Sequence, residues 1–373
     1  MTTSEDTCIS IHTAPSLAGY TLEPPRAIRA RDNGKLLTIR LETSLLCNFN
    51  CLYCNNNAGI PTHDELSITD IRNILPEVRR LGAESVVLIG GGEPLLYPGI
   101  RDLTSFIHRA GMTPVIITNG FSLTEEFCSF FLDHNTSILL KCDSFDRNTQ
   151  DRLAGKTGAH AAIMRSIDLL LKVYDVVSDP LHLRTGLSFV ATRLNHDGIL
   201  PIWKFCRENN LYPNLEEFIP RGRGLSNYDT LYLDAVSVHS LKMQLLTLDR
   251  EQYGYDWILH SPLPGHGCLQ PLCSVYITST GSVRPCPDID IPWFNVKQTS
   301  LSEIMATPFF KLARSVDKHL HGKCGACEYN PRCIGCRGNA FTDGVNRGLS
   351  PEEALCSPDP LCRKQSTVYD KPL

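Results

Sequence analysis

Leu36-Leu37-Thr38-Ile39-Arg40-Leu41-Glu42-Thr43 runs, after a spacer of three residues, into Cys47-Asn48-Phe49-Asn50-Cys51-Leu52-Tyr53-Cys54. The first stretch is short, apolar and bounded, which reads as a strand, and the three thiols then lie on the loop at its carboxyl end. Five further runs repeat the theme: SVVLIGG (85–91), TPVIITNG (113–120), SILLKCDS (137–144), TGLSFVA (185–191) and NLEEFIP (214–220). Between them lie stretches of helical period, at 67–82, 100–111 and 160–174. Such alternation predicts a parallel sheet with helices outside, because parallel strands need crossover connections. Six units make a partial barrel or an open sheet, not a closed eight-stranded barrel, and either form gathers function at the carboxyl ends of its strands.

Around this stretch the composition is that of an ordinary globular protein: 373 residues, 42% apolar and 20% charged. That length allows one large domain and a smaller one. A net charge of −4 lacks the basic excess of a protein that docks on nucleic acid. No apolar run approaches the ~20 residues of a bilayer span. The opening MTTSEDTCIS has neither the basic start nor the apolar stretch of a secretory signal. The expected compartment is therefore the cytoplasm, where 16 cysteines suggest metal binding and not a disulfide framework.

Residues 1–35, with Pro15, Pro24 and Pro25, read as an irregular lead-in, and 36–232 as the partial barrel. Residues 233–267 read as a linker with a helix around Val236–Arg250 and the loop SPLPGHG. From 268 to 373 there is one hairpin signal, SVYITS-TGS-VRPC, one helix over 300–316, and a Cys-rich remainder. This last part has too few apolar side chains for a sizeable core, so it needs a staple.

Three thiols in a Cys-x3-Cys-x2-Cys loop can reach three corners of one iron–sulfur cube and leave the fourth iron open to a small molecule. The plainer alternatives are a zinc knuckle or three buried cysteines. At the end of the second strand stands Gly90-Gly91-Gly92-Glu93-Pro94, where glycines let the backbone approach a ligand. With an aromatic, Tyr53, just before the last cysteine, the pair of motifs resembles the radical S-adenosylmethionine (radical SAM) superfamily. The resemblance implies that Cys47, Cys51 and Cys54 hold a [4Fe-4S] cluster and that Gly91, Gly92, Glu93 and Pro94 bind the methionine end of SAM. It extends, less sharply, to Asn119 at the third strand end, to Lys141 and Asp143 at the fourth, and to Arg152. A surface lysine beside a capping aspartate is the plain reading of the fourth strand end.

The C-terminal cysteines are Cys268, Cys273, Cys286, Cys324, Cys327, Cys333, Cys336, Cys356 and Cys362. Their order resembles the SPASM extension, which carries two auxiliary [4Fe-4S] clusters. Matched position by position, the first auxiliary cluster takes Cys268, Cys273, Cys286 and Cys336; the second takes Cys324, Cys327, Cys333 and Cys356. This chain has two residues between Cys333 and Cys336 and four between Gly281 and Cys286, each one off the usual spacing, and Cys362 rivals Cys356. The paired Cys-x2-Cys steps also suit a four-sulfur zinc site.

The fold class that follows is α/β: a partial (β/α)6 TIM-like barrel followed by a small Cys-rich α+β SPASM domain. The resemblance implies reductive cleavage of SAM to a 5′-deoxyadenosyl radical and hydrogen abstraction from substrate, with SAM and three clusters as cofactors and an electron donor such as flavodoxin or ferredoxin. Only 46 residues precede Cys47, with no winged-helix pattern, which favours a small polyhydroxylated substrate (sugar, aminocyclitol or nucleoside) over a peptide. The expected outcome is oxidation ahead of epimerisation. A peptide-crosslinking maturase and an iron–sulfur electron carrier are the alternatives. Cys142, at a strand's catalytic end, is the candidate hydrogen donor for epimerisation, although alternation can turn it away from the lumen while Lys141 and Asp143 face in.

Overall fold

A computed structural model describes residues 12–174, 181–257 and 268–362. The six expected strands form as β1 (Thr38–Glu42), β2 (Ser85–Ile89), β3 (Thr113–Thr118), β4 (Ser137–Lys141), β5 (Thr185–Ala191) and β6 (Tyr212–Glu217). The C-terminal hairpin supplies β7 (Ser274–Ile277) and β8 (Val283–Arg284). All eight share one sheet in the order β8-β7-β1-β2-β3-β4-β5-β6. Every neighbouring pair is parallel except β7 with β8. The sheet is therefore open, with β6 and β8 at its edges, and its connections are the crossover helices that parallel pairing demands.

Period-two alternation divides the strands between two cores. Ile39, Leu41, Val86, Leu88, Ile116, Leu140 and Phe189 face the outer helices. Val87, Val115, Leu139 and Tyr212 face inward and close on Leu17, Tyr20 and Leu183. The Ser85 and Ser137 hydroxyls, at the first residues of β2 and β4, donate to the carbonyls of Gly19 and Ala18 at 2.6 and 2.8 Å. The chain segment before Tyr20 thus plugs the inner face at the strands' amino ends, and the carboxyl ends are left for a ligand.

Three features depart from the sequence reading, two of them for local reasons. The lead-in contains a helix, Pro24–Asp32, with prolines at its first positions, where their fixed φ suits a helix start and the missing N–H costs nothing. The helix expected over 300–316 is two, Leu301–Ala306 and Pro308–Arg314. Pro308 pushes Thr307 into extended geometry (ψ 153°), and the Thr307 hydroxyl then caps the second helix. The hairpin is not confined to a separate C-terminal unit, since β7 pairs with β1 from Ser274–Thr38 to Ile277–Leu41. The linker helix forms over Ala235–Leu248. Cys8, the SPLPGHG loop and residues 363–373 lie outside the described residues. Among the described residues no helix is long and apolar enough to cross a membrane.

Candidate active site

Along the inner face, side chains turn polar toward the carboxyl ends: Leu139 is followed by Lys141, and Tyr212 by Asn214 and Glu216. A cavity opens there, lined by Cys47, Cys51 and Cys54, by the Gly90–Glu93 turn, and by Asn119, Lys141 and Asp143. The glycine turn packs directly on the chain leading into the cysteine loop. The Gly92 and Glu93 amides donate to the carbonyls of Ser44 and Leu46 at 2.7 and 2.8 Å. A Cβ on Gly92 would stand 2.0 Å from the Leu46 oxygen, so no other residue fits.

Glu93 is buried and accepts from the Leu95 amide (3.0 Å), the Thr118 hydroxyl (2.5 Å) and the Asn119 amide (2.7 Å). Burial pushes its carboxyl up, against the pull of these three donors. The Asn119 side chain in turn donates to Asn48 at 2.8 Å, inside the cysteine loop. Pro94 is buried beside Glu93 and starts the short turn that follows.

Burial also raises the thiols. Cys51 is pushed up to about 12, with Asp143, Cys47 and Cys54 adding to the effect; Cys47 is raised by burial, with Glu93 and Cys54 contributing. Sulfurs so placed become thiolates only against a cationic centre, which is what iron supplies, so the donor set fits a soft metal cluster. Among the described residues no three Cys, His, Asp or Glu close together as the ligands of a single ion.

Lys141 and Asp143 both face the cavity. Lys141 Nζ lies 3.8 Å from Glu216, 4.0 Å from Asp143 and 5.3 Å above the Tyr53 ring, and donates to Ser188 at 3.3 Å. Burial disfavours its charge, but Glu216 and Asp143 beside it carry its pKa above the ordinary lysine value. Asp143 accepts from the Tyr53 hydroxyl and the Val190 amide. Gln150 accepts from the amides of Asp143 and Ser144 at 2.8 and 2.9 Å, fixing the strand end.

Two expectations are corrected. Cys142 is fully buried in the outer core, with Cys206 among the groups that act on it, and does not line the cavity. Strand alternation turns it outward, and the hydrogen-donor role is withdrawn. Arg152 is exposed on the helix Arg147–Ala154 and is not in the cavity wall, whereas Gln150 and Ala154 of that helix are. Sequence reasoning had not singled out Gln150, Ser188, Asn214, Glu216, Glu217 or Arg223. A signal was available for the strand residues, since a polar side chain every second position toward a strand's carboxyl end marks the inward row.

A second cavity adjoins the first, and Asn55, Ile89, Glu216, Glu217 and Ile219 line both. Cys268, Cys286 and Cys336 line the second, with Arg40, Asp288 and Arg337. Cys273 lies beneath, at the end of the short helix Gln270–Cys273. Burial raises Cys273 to about 12, and Cys268 is among its neighbours; Cys286 feels Cys268, and Cys336 feels Cys286. Three of the four cysteines expected at the first auxiliary cluster, Cys268, Cys286 and Cys336, thus share one cavity wall, and Cys333, expected at the second, also acts on Cys268.

In the second group, Cys324 Sγ accepts from the Asp359 amide (3.5 Å) and Arg337 (3.8 Å). Arg337 also donates to the carbonyls of Leu355 and Ser357, on either side of Cys356. Cys327 and Cys333 are half-buried on the intervening turn. Cys362 follows, its amide donating to Asp359.

Thiol-lined cavities at the carboxyl ends of an open parallel sheet are suited to soft metal clusters and the small molecules they bind. The profile of the Radical SAM superfamily matches residues 41–188, and that of SPASM, an iron–sulfur cluster-binding domain, matches 268–328. The chain is a radical SAM enzyme with a C-terminal SPASM domain, and its cofactors are SAM and [4Fe-4S] clusters, auxiliary ones included. Similar relatives include an AdoMet-dependent heme synthase from Methanosarcina barkeri, 24% identical over 336 residues, 81% of this chain and 91% of that one. The mycofactocin maturase MftC of Mycolicibacterium smegmatis is 24% identical over 361 residues, 91% of this chain and 86% of that one. Streptococcus suis SuiB bound to S-adenosylmethionine shares the fold with a TM-score of 0.66 at 18% identity, over 87% of this chain and 77% of that one. The structure of anSMEcpe with bound AdoMet does so at 0.61 and 16% identity, over 82% of this chain and 90% of that one.

Proposed function

We propose that this enzyme oxidises a small polyhydroxylated substrate (a sugar, aminocyclitol or nucleoside) held between the SAM site and the first auxiliary cluster. In this reading Cys47, Cys51 and Cys54 hold the SAM-binding cluster, Cys268, Cys273, Cys286 and Cys336 the first auxiliary cluster, and Cys324, Cys327, Cys333 and Cys356 the second. Bound SAM and its cluster supply the group that abstracts hydrogen. Glu93 and the glycine turn receive the amino group of SAM, and Lys141 with Asp143 orients its carboxylate or ribose.

The observation that carries the reading is the shared wall between the two cavities. A substrate seated on Asn55, Glu216 and Glu217 touches the SAM side and the thiol side together. These three wall side chains offer hydrogen-bond acceptors suited to hydroxyl groups. In the balance, bound SAM would supply the acceptor of a hydrogen atom, a cluster held by Cys268, Cys273, Cys286 and Cys336 would supply the acceptor of one electron, and Glu216, the carboxylate beside Lys141, would receive the proton. A flavodoxin- or ferredoxin-like donor in the cytoplasm supplies the electron that SAM consumes.

Anaerobic reconstitution with iron and sulfide, then reduction with SAM and candidate substrates, tests this by mass spectrometry. The expected product is lighter than its substrate by one H2 and forms in step with 5′-deoxyadenosine. Peptide modification is the second reading. It is supported by the likeness to mycofactocin maturase over 91% of this chain and to SuiB over 87% of it, SuiB having been solved bound to precursor peptide SuiA. Turnover of a peptide, with none of any small polyol, decides for it.

A further inference from the structure

We propose that the loop from Arg221 to Asn227, which leaves β6, is a clamp that fixes the three-cysteine loop and the Cys286 loop against one another, with Arg223 as its positioning residue. The inference rests on the ligand assignment just proposed. A coordination loop has no ladder of its own, so its backbone carbonyls must find partners elsewhere. Here one segment supplies partners for four of them. Arg223 donates from Nε to the Cys51 carbonyl at 3.1 Å and from Nη1 to the Ala58 carbonyl at 2.8 Å. The Gly224 amide reaches the Cys54 carbonyl at 3.4 Å, and the Asn227 side chain reaches that of Leu52 at 3.2 Å. Gly222, at φ +53°, lets the two backbones touch: a Cβ there would stand 2.7 Å from the Cys54 oxygen and 2.6 Å from that of Asn55.

The other end of the same segment points to the auxiliary site. Arg221 Nη1 pairs with Asp288 Oδ1 at 3.2 Å, and Asp288 is buried two residues beyond Cys286 in the wall of the second cavity. Arg221 and Arg223 therefore grip the two metal loops from adjacent positions, across a single glycine. The spacing between the clusters, and with it the seat of the substrate, depends on this segment. The guanidinium fork is essential to the role, since it meets two carbonyls at fixed separation, which a lysine ammonium on a flexible stem cannot do.

The test uses the reconstituted holoenzyme with Arg223→Lys, Arg223→Met, the milder Asn227→Ala, and Arg221→Gln. The readouts are iron and sulfide content, melting, SAM affinity, and the electron paramagnetic resonance spectrum of each reduced cluster with and without SAM. The clamp predicts that Lys and Met behave alike at position 223. Iron loss or spectral change is confined to the SAM-binding cluster, and SAM affinity falls by about tenfold or more, as the two charge-assisted hydrogen bonds that hold the loop are lost together. Asn227→Ala moves the same signal less, and Arg221→Gln changes the first auxiliary signal while SAM affinity holds. Parental spectra in Arg223→Met, rescue by Arg223→Lys, or loss of all clusters together with the fold in both Arg223 variants and Asn227→Ala overturns the clamp. Failure of the ligand assignment is separate: the Cys47→Ala, Cys51→Ala, Cys54→Ala triple variant would then still cleave SAM.

Discussion

Glu93 shows how much one side chain can be prepared for a ligand. Three donors hold its carboxylate in place before anything binds, so little ordering remains when an ammonium group arrives. Glu93→Gln keeps the shape but removes the charge and one strong acceptor. SAM affinity should fall by roughly tenfold to a hundredfold, which is the ~1.5–3 kcal/mol of a hydrogen bond to a charged group. Titration of SAM into the reconstituted variant checks this, with iron content and melting followed alongside, since the new amide NH2 faces a donor in either orientation. Residues of this kind were legible in the sequence because they are contiguous: three cysteines within eight residues and GGGEP both announce themselves. Gln150, Glu216 and Arg223 were not, because each belongs to the site only through folding, and nothing near it in the chain shares its task.

Elements explain where the reading of the chain fell short. Period and length gave the six parallel strands, and the inward row of each was readable once alternation was followed. The union of β7 with β1 was not readable, since pairing between positions 38 and 274 leaves no local pattern. It has a consequence for stability. Cys273 ends the short helix that leads into β7, and Cys286 follows β8, so two of the proposed ligands flank the hairpin on both sides. Cys273→Ala or Cys286→Ala should therefore remove auxiliary iron and also loosen a sheet edge. The expected result is a lower melting temperature with faster amide exchange over 274–284, since metal binding and folding are linked in segments of this size. The triple replacement of Cys47, Cys51 and Cys54 by Ala should differ. Cys47 and Cys51 only pack against the edge of a core that the sheet and helices build, so SAM cleavage is lost while the C-terminal iron stays and the melting temperature falls less than in the auxiliary variants. Iron counting with calorimetry on both sets of variants separates the two expectations.

At the scale of the whole molecule, the proposed oxidation and an epimerisation would make different use of the adjoining cavities. An oxidation sends the substrate's unpaired electron across the shared wall to the thiol-lined side, and the product gains no hydrogen at the reacting carbon. An epimerisation needs a thiol on the opposite face, which would return a solvent-exchangeable hydrogen. Cys142 was the cysteine outside the cluster sets nearest to such a place in the chain, and alternation has turned it into the outer core. Cys128 and Cys206 are fully buried on the helices Glu125–Asp133 and Ile199–Glu208. None of these three lines the cavity. In deuterated water the parent protein should therefore yield product without deuterium at the reacting carbon, and Cys142→Ala should yield the same product at the same rate, with any effect confined to stability. Deuterium at that carbon, with turnover in Cys142→Ala halted after hydrogen abstraction, would restore the thiol to the mechanism. It would also require the strand end from Lys141 to Asp143 to rearrange during the reaction, because in the present geometry the Asp143 carboxylate and the Lys141 ammonium occupy the inward positions on either side of it.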